Sequence, residues 1–188
     1  MILNALDYPG YRELNEAVKS ARSSEITIEN CLGQRYIGCA LSDKKLTVKG
    51  TPGNGLAAYL DGAEITVYGN AQDAVCDTMN SGRVVIHGDC GDAVGYGMRG
   101  GSVYIKGSVG YRAGIHMKAY KENFPVMVIG GGAGSFLAEY IAGGLVIVLG
   151  LNTKNGITGD FCGAGMHGGN VLLRCDELPK GVSSHVTA

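Results

Sequence analysis

Two aspartates, Asp73 and Asp92, recur in similar surroundings, and Asp160 follows in the same context. Paired carboxylates carry out glycoside hydrolysis, and roughly 5 Å between two of them would suit a retaining pair. Arg99 and Lys118, separated by the same interval as the aspartates, form a basic column that could hold an acidic substrate. Together they outline one reading, an autonomous β-helix hydrolase or lyase using Asp73 and Asp92. The competing reading is structural: each aspartate bonds backbone amides at a turn, as Asx residues do. Recurrence in step with turn glycines favours the structural reading.

Other chemistry finds less support. Ser135 lies in Gly132-Ala133-Gly134-Ser135-Phe136, which departs from the Gly-x-Ser-x-Gly elbow of serine hydrolases. No P-loop signature occurs, and Gly95-Tyr96-Gly97-Met98-Arg99-Gly100 is not followed by the helix that a dinucleotide fingerprint opens. His87, His116, His167 and His185 do not converge, whereas a metal site needs three or more ligands together. The cysteines, Cys31, Cys39, Cys76, Cys90, Cys162 and Cys175, contain no Cys-x-x-Cys, so reduced buried thiols are expected. The chain is expected to hold no catalytic residue, metal or cofactor of its own.

These residues are positioned by an internal repeat. Apolar-x-apolar-x-Gly recurs as LTVKG, ITVYG, VVIHG and VYIKG, ending at evenly spaced Gly50, Gly69, Gly88 and Gly107. It continues as VMVIG to Gly130 and VIVLG to Gly150, with ITIEN and VLLRC as degenerate outer copies. A second half-motif, clearest in GDAVGYGMRGG and GDFCGAGMHGG, follows each strand. Its apolar columns run Ile37, Leu56, Val75, Val94, Ala113, Leu137, Cys162 and Leu41, Leu60, Met79, Met98, Met117, Ile141, Met166. The column between, Gly38, Ala57, Cys76, Gly95, Gly114, Ala138 and Gly163, is small throughout.

A unit this short cannot hold a βαβ element. Parallel stacking of the units buries identical columns on one another about 4.8 Å apart. The expected fold is all-β: a single-stranded right-handed parallel β-helix of about eight coils over residues 26–175. A left-handed hexapeptide helix is the near competitor, but Leu46, Val48, Leu56 and Leu60 do not fall at sixes. Residues 1–25 form an extension with a capping helix that presents Tyr11, Leu14, Val18 and Ala21 on one face. Residues 176–188 read as a flexible tail, free or laid on a partner. Insertions fall in turns at Lys118–Pro125 and Leu151–Thr158, where partner contacts are easiest to build. The structural turn glycines are Gly91, Gly95, Gly97, Gly100, Gly101, Gly159, Gly163, Gly165, Gly168 and Gly169. Met127, Ile129, Ile147 and Leu149, with Leu172 beyond, are expected on an apolar outer face covered by the chain's own helix or another subunit.

Composition agrees with a turn-rich solenoid. Glycine supplies 32 of 188 residues, yet there is no Gly-X-Y period and only 4 prolines, which excludes collagen. With 45% hydrophobic and 18% charged residues the chain is not a disordered one. A net charge of −1 gives no basic balance for nucleic acid or anionic membrane. The apolar run Leu145–Leu149 is far short of the ~20 residues a membrane span needs. Asp7, Arg12, Glu13 and Glu16 interrupt any leader-like stretch, so a cytoplasmic location is expected.

The phased GDAVGYGMRGG and GDFCGAGMHGG segments, with strands such as VYIKG and VIVLG, resemble the C-terminal Gly-x-Gly-x-Gly β-helix of the glutamate synthase large subunit over residues 26–175. The opening YRELNEAVK resembles the start of free-standing versions. Ala119-Tyr120 in place of Gly-Gly, and Cys76 at a usual glycine, depart from the pattern locally. The resemblance implies a non-catalytic scaffold in nitrogen and glutamate metabolism. Its partners would be a class II glutaminase subunit and a synthase subunit that holds FMN and an iron–sulfur cluster. Ile2 after Met1 offers no processed N-terminal cysteine nucleophile. The related β-helical subunit of formylmethanofuran dehydrogenase is an alternative, and self-association is a further possibility.

Overall fold

The computed structural model describes residues 1–153, 156–184 and 186. Nine strands form one parallel sheet in strict chain order. They are β1 (Ile2–Asn4), β2 (Glu25–Leu32), β3 (Lys45–Thr51), β4 (Asp61–Tyr68), β5 (Ser81–Ile86), β6 (Ser102–Ile105), β7 (Val126–Ile129), β8 (Ala142–Val148) and β9 (Gly168–Leu173). Sequential neighbours paired in parallel are what a parallel β-helix requires, because every strand must return to the same side of the same layer. Among the described residues no helix is long and apolar enough to cross a membrane.

Strand alternation builds the core. Ile26, Leu46, Ile65, Val84, Val103, Met127, Val146 and Val171 stand in register, one above the next. The column two residues on runs Ile28, Val48, Val67, Ile86, Ile105, Ile129, Val148 and Leu173. Nearly all are fully buried, each burial contributing about 1.5–3 kcal/mol. The core contains no buried polar or charged side chain among the described residues.

Two residues expected on the outer face lie inside it. Met127 and Ile129 are core residues, each 0% exposed, and Val126 and Val128 take the outward positions. Register pairs Val103 with Met127, a longer step than those before it, so Gly131 rather than Gly130 continues the column of Gly107. The reason is local: Val126-Met127-Val128-Ile129 is apolar at every position and Gly130-Gly131-Gly132 follows, leaving the alternation without phase.

The turn segments form a second ladder. In each unit three alternate residues have φ between 51° and 76°, as at Tyr36, Gly38 and Ala40, or Ala93, Gly95 and Gly97. Their amides alternate in direction. Gly55 donates forward to Asp73 O (2.9 Å), Ala57 back to Ile37 O (2.9 Å), and Tyr59 forward to Asp77 O (2.7 Å). Left-handed backbone at every second position is what glycine tolerates at least cost, which gives the Gly-x-Gly-x-Gly spacing its physical meaning.

Further segments pack at both ends. Helix α1 (Tyr11–Ser20) buries Leu14 and Val18 against the first unit, Asn15 Nδ2 donates to Arg35 O (2.9 Å), and Lys44 Nζ donates to Ala21 O (2.7 Å). At the far end residues 181–183 bond to the last turn. Val182 bridges to Cys162, Cys162 N donates to Gly181 O (3.0 Å), and Ser183 N donates to Cys162 O (2.8 Å). The open ladder of the last turn accounts for this docking, since its amides and carbonyls need partners.

Candidate functional site

Asp73 and Asp92 occupy one column, and both are engaged by the backbone. Oδ1 of Asp73 accepts from Asp92 N (2.9 Å), and Oδ1 of Asp92 accepts from Tyr111 N (2.8 Å). Ser135 Oγ continues the column by accepting from Asp160 N (3.1 Å). A parallel column repeats the device: Asn70 accepts from Asp89 N (2.9 Å), Asp89 from Ser108 N (2.7 Å), and Ser108 Oγ from Gly132 N (3.1 Å). Ser135 and the two aspartates thus act as rungs between units, in the arrangement the structural reading describes.

The glycine that precedes each donor has a specific reason. A Cβ on Gly91 would stand on Asp73 Oδ1, and one on Gly110 would stand on Asp92 Oδ1. The same holds for Gly159 beside Ser135 Oγ, at 2.6 Å. The recurring Gly-Asp pairs are therefore one unit of design: the glycine leaves room, the next amide receives the bond. Among the remaining turn glycines, Gly95, Gly97, Gly163 and Gly165 sit in the left-handed ladder, as Gly101 and Gly169 do at the following corner. Gly100 and Gly168 lie against the carbonyls of Asn80 and Ala142.

The outer face of the sheet carries an apolar row. Val85, Tyr104, Val128, Ile147 and Leu172 stand in register along it. Val85, Tyr104 and Val128, with Leu149 and Leu151, border a shallow groove of about 300 Å³ beside Gly130, and Leu172 is 54% exposed. Of the four residues expected there, Ile147 and Leu149 are present; Met127 and Ile129 are inside. Helix α1 packs at the opposite end of the sheet, on the first unit, and does not cover it.

The described histidines are not gathered into one metal-binding group. His87 stacks on Tyr68, ring centroids 4.5 Å apart, while His116 stacks on Tyr140 at 5.3 Å. His185 lies outside the described residues. Among the described residues no group of three or more His, Cys, Asp or Glu is placed to hold a metal ion. Burial pushes the Cys31 thiol up to about 11 and Cys90 to about 12, and raises Cys76 and Cys162 as well. These four are protonated packing residues at neutral pH.

Arg99 and Lys118 open onto a cleft of about 460 Å³ with Thr78, Tyr96, His116 and Tyr120 around them. The cleft was legible only in part: the basic column and the inserted segment 118–125 are sequence features, but their convergence depends on how that insertion folds. Tyr120 and Asn123 exchange backbone bonds of 3.1 and 3.0 Å around a tight turn, which brings Tyr120 back to the cleft.

The chain is thus a parallel solenoid whose turns follow a left-handed Gly-x-Gly-x-Gly ladder, with its aspartate column engaged by backbone amides and an apolar outer face on its sheet. The GXGXG motif profile matches residues 4–183, and the chain belongs to that family, the glutamate synthase C-terminal GXGXG domain family. It is also 45% identical over 189 residues to the uncharacterized protein MJ1350 of Methanocaldococcus jannaschii, covering 94% of this chain and 72% of the relative.

Proposed function

We propose that the chain is a right-handed β-helix of about eight coils that serves in the cytoplasm as the non-catalytic scaffold subunit of a glutamate-synthase-like amidotransferase complex. It would hold a class II glutaminase subunit against a synthase subunit, with FMN and the iron–sulfur cluster on that second partner. The observation that carries this reading is the partly exposed apolar face Val85–Tyr104–Val128–Ile147–Leu172, in register and remote from the chain's own helix. Contiguous exposed apolar surface of this kind marks protein contact. Family membership supports the choice of partners, and the engagement of Asp73, Asp92 and Ser135 by backbone amides supports a role without catalysis.

The test is co-expression of the full chain with the glutaminase and synthase subunits of the same organism, followed by size-exclusion chromatography. The expected result is one complex containing all three, from which Ile147→Asp/Leu172→Asp is lost while remaining folded. Recovery with pterin-metal or amidohydrolase-like subunits would replace this reading with the formylmethanofuran dehydrogenase one. No association, or hydrolase activity lost in Asp92→Ala, would overturn both.

A further inference from the structure

The scaffold reading makes no use of the cleft at Arg99 and Lys118. These two residues hold equivalent places in successive units: Arg99 N bonds to Met79 O (2.8 Å) and Lys118 N to Met98 O (3.0 Å). Like charges side by side on neighbouring rungs repel. Two other surface cations have an acid beside them, Lys49 with Glu29 at 2.9 Å and Arg112 with Glu139 at 3.1 Å. Arg99 and Lys118 have no such partner among the described residues. Asp77, next to the cleft in the chain, accepts the Thr78 hydroxyl at 2.7 Å. Two formal positive charges therefore face one cleft, and neither is in an ion pair among the described residues.

The walls are aromatic. Tyr96 meets His116 edge-to-face, centroids 5.9 Å apart and planes at 82°, and His116 is braced on its stack with Tyr140. The inserted turn supplies Tyr120 as a further wall. The floor is Gly97, in the left-handed column that carries Ala40, Tyr59, Thr78, His116 and Tyr140 in other units and glycine again at Gly165. A Cβ on Gly97 would meet only Thr78 Oγ1, at 3.6 Å, so no packing contact excludes a side chain there. Its absence leaves a gap in a row of side chains, beside two cations.

We infer that this cleft binds a small molecule carrying a phosphate monoester on a planar ring system, of the nucleoside monophosphate class. A phosphate monoester carries about −1.5 to −2 charges at neutral pH, matching the two unpaired cations. Arginine holds its oxygens through a planar fork and lysine as a point charge. The ring would lie over Gly97 between Tyr96 and Tyr120, where aromatic faces favour planar groups. The volume, about 460 Å³, lies in the range of small-molecule sites.

Calorimetric titration of the full chain with AMP, adenosine and inorganic phosphate tests this. Saturable AMP binding below about 1 mM is expected, with adenosine and phosphate each weaker by about tenfold or more. Arg99→Ala/Lys118→Ala should weaken AMP by at least about tenfold, both side chains being exposed and dispensable for folding. Gly97→Asn, a residue that tolerates left-handed backbone, should fill the floor and weaken AMP similarly without changing the circular dichroism spectrum. No AMP binding, phosphate binding as tightly as AMP, or binding unmoved in both variants would each overturn the inference.

Discussion

Oδ1 of Asp73 accepts the backbone hydrogen of Asp92 at 2.9 Å, and the residue between that oxygen and any competing side chain is Gly91. The carboxylate and the glycine belong to different units yet form one device. A side chain from one turn pins the amide of the next, and the glycine clears its path. The aspartate column that suggests a catalytic pair in sequence is thus, in three dimensions, the means by which successive turns stay in register.

The pairing predicts non-additivity. Asp73→Ala removes one hydrogen bond and should cost about 1 kcal/mol in urea denaturation. Gly91→Ala should cost a similar amount, because its new Cβ displaces the same oxygen. The double variant should cost clearly less than the sum, since the bond can be lost only once. Asp73→Asn keeps an acceptor and should stay close to the parent. Strict additivity would show that glycine and aspartate act independently.

The phase of β7 predicts opposite outcomes at neighbouring positions. Met127→Ala empties a fully buried site and should cost about 2–5 kcal/mol. Val128→Thr lies on the outer face and should change stability by less than about 0.5 kcal/mol. Thermal or urea unfolding distinguishes them directly. Reversed sensitivities would restore the phase read from Gly130.

The regular part of this fold was readable because its repeat fixes both period and burial. Leu46, Ile65, Val84 and Val103 recur in phase with the strand-ending glycines, so their inward direction followed from the sequence alone. Val126–Ile129 carries no alternation, so nothing in its sequence fixes which side chains point inward. Strand β1, three residues long, and the docking of Val182 on Cys162 leave no periodic signal either; both are edge pairings chosen by available backbone groups. Of the cleft, Arg99 and Lys118 were visible as a column, whereas Tyr120 arrives through the folding of an insertion.

The left-handed ladder predicts a sign difference between adjacent rungs. Ala93, at φ 57°, carries a side chain in a conformation that disfavours one. Ala93→Gly should leave stability unchanged or raise it by up to about 1 kcal/mol, strain relief opposing the added freedom of the unfolded chain. Gly95→Ala adds the same strain and presses a Cβ toward the Met127 methyl inside the core. A loss of about 2 kcal/mol is expected there, softened by the flexibility of methionine. Equal losses at both positions would show that the ladder does not set the residue preference.

The buried thiols predict an alkaline limit to stability. In the folded chain burial holds the Cys31 thiol up to about 11 and the Cys90 thiol up to about 12, against an ordinary value of 9.0. Below pH 9 the thiol is neutral in both states, and the stabilisation is complete. Above it the unfolded chain loses a proton that the folded chain keeps, so unfolding releases protons and becomes easier as pH rises. The Cys90 thiol should lower stability by about 1.4 kcal/mol per pH unit until the pH reaches its folded value, and Cys31, in the end unit, should add less. Urea midpoints measured from about pH 8 to about pH 11 should therefore fall. Cys90→Ala should reduce the slope even if it lowers stability throughout, so the slope is the quantity to compare. Exposed Cys175 should react with a thiol reagent in the native protein, while Cys76 and Cys90 should react only on unfolding. A flat stability profile, or prompt labelling of Cys76 and Cys90 in the folded chain, would mean that the interior admits water.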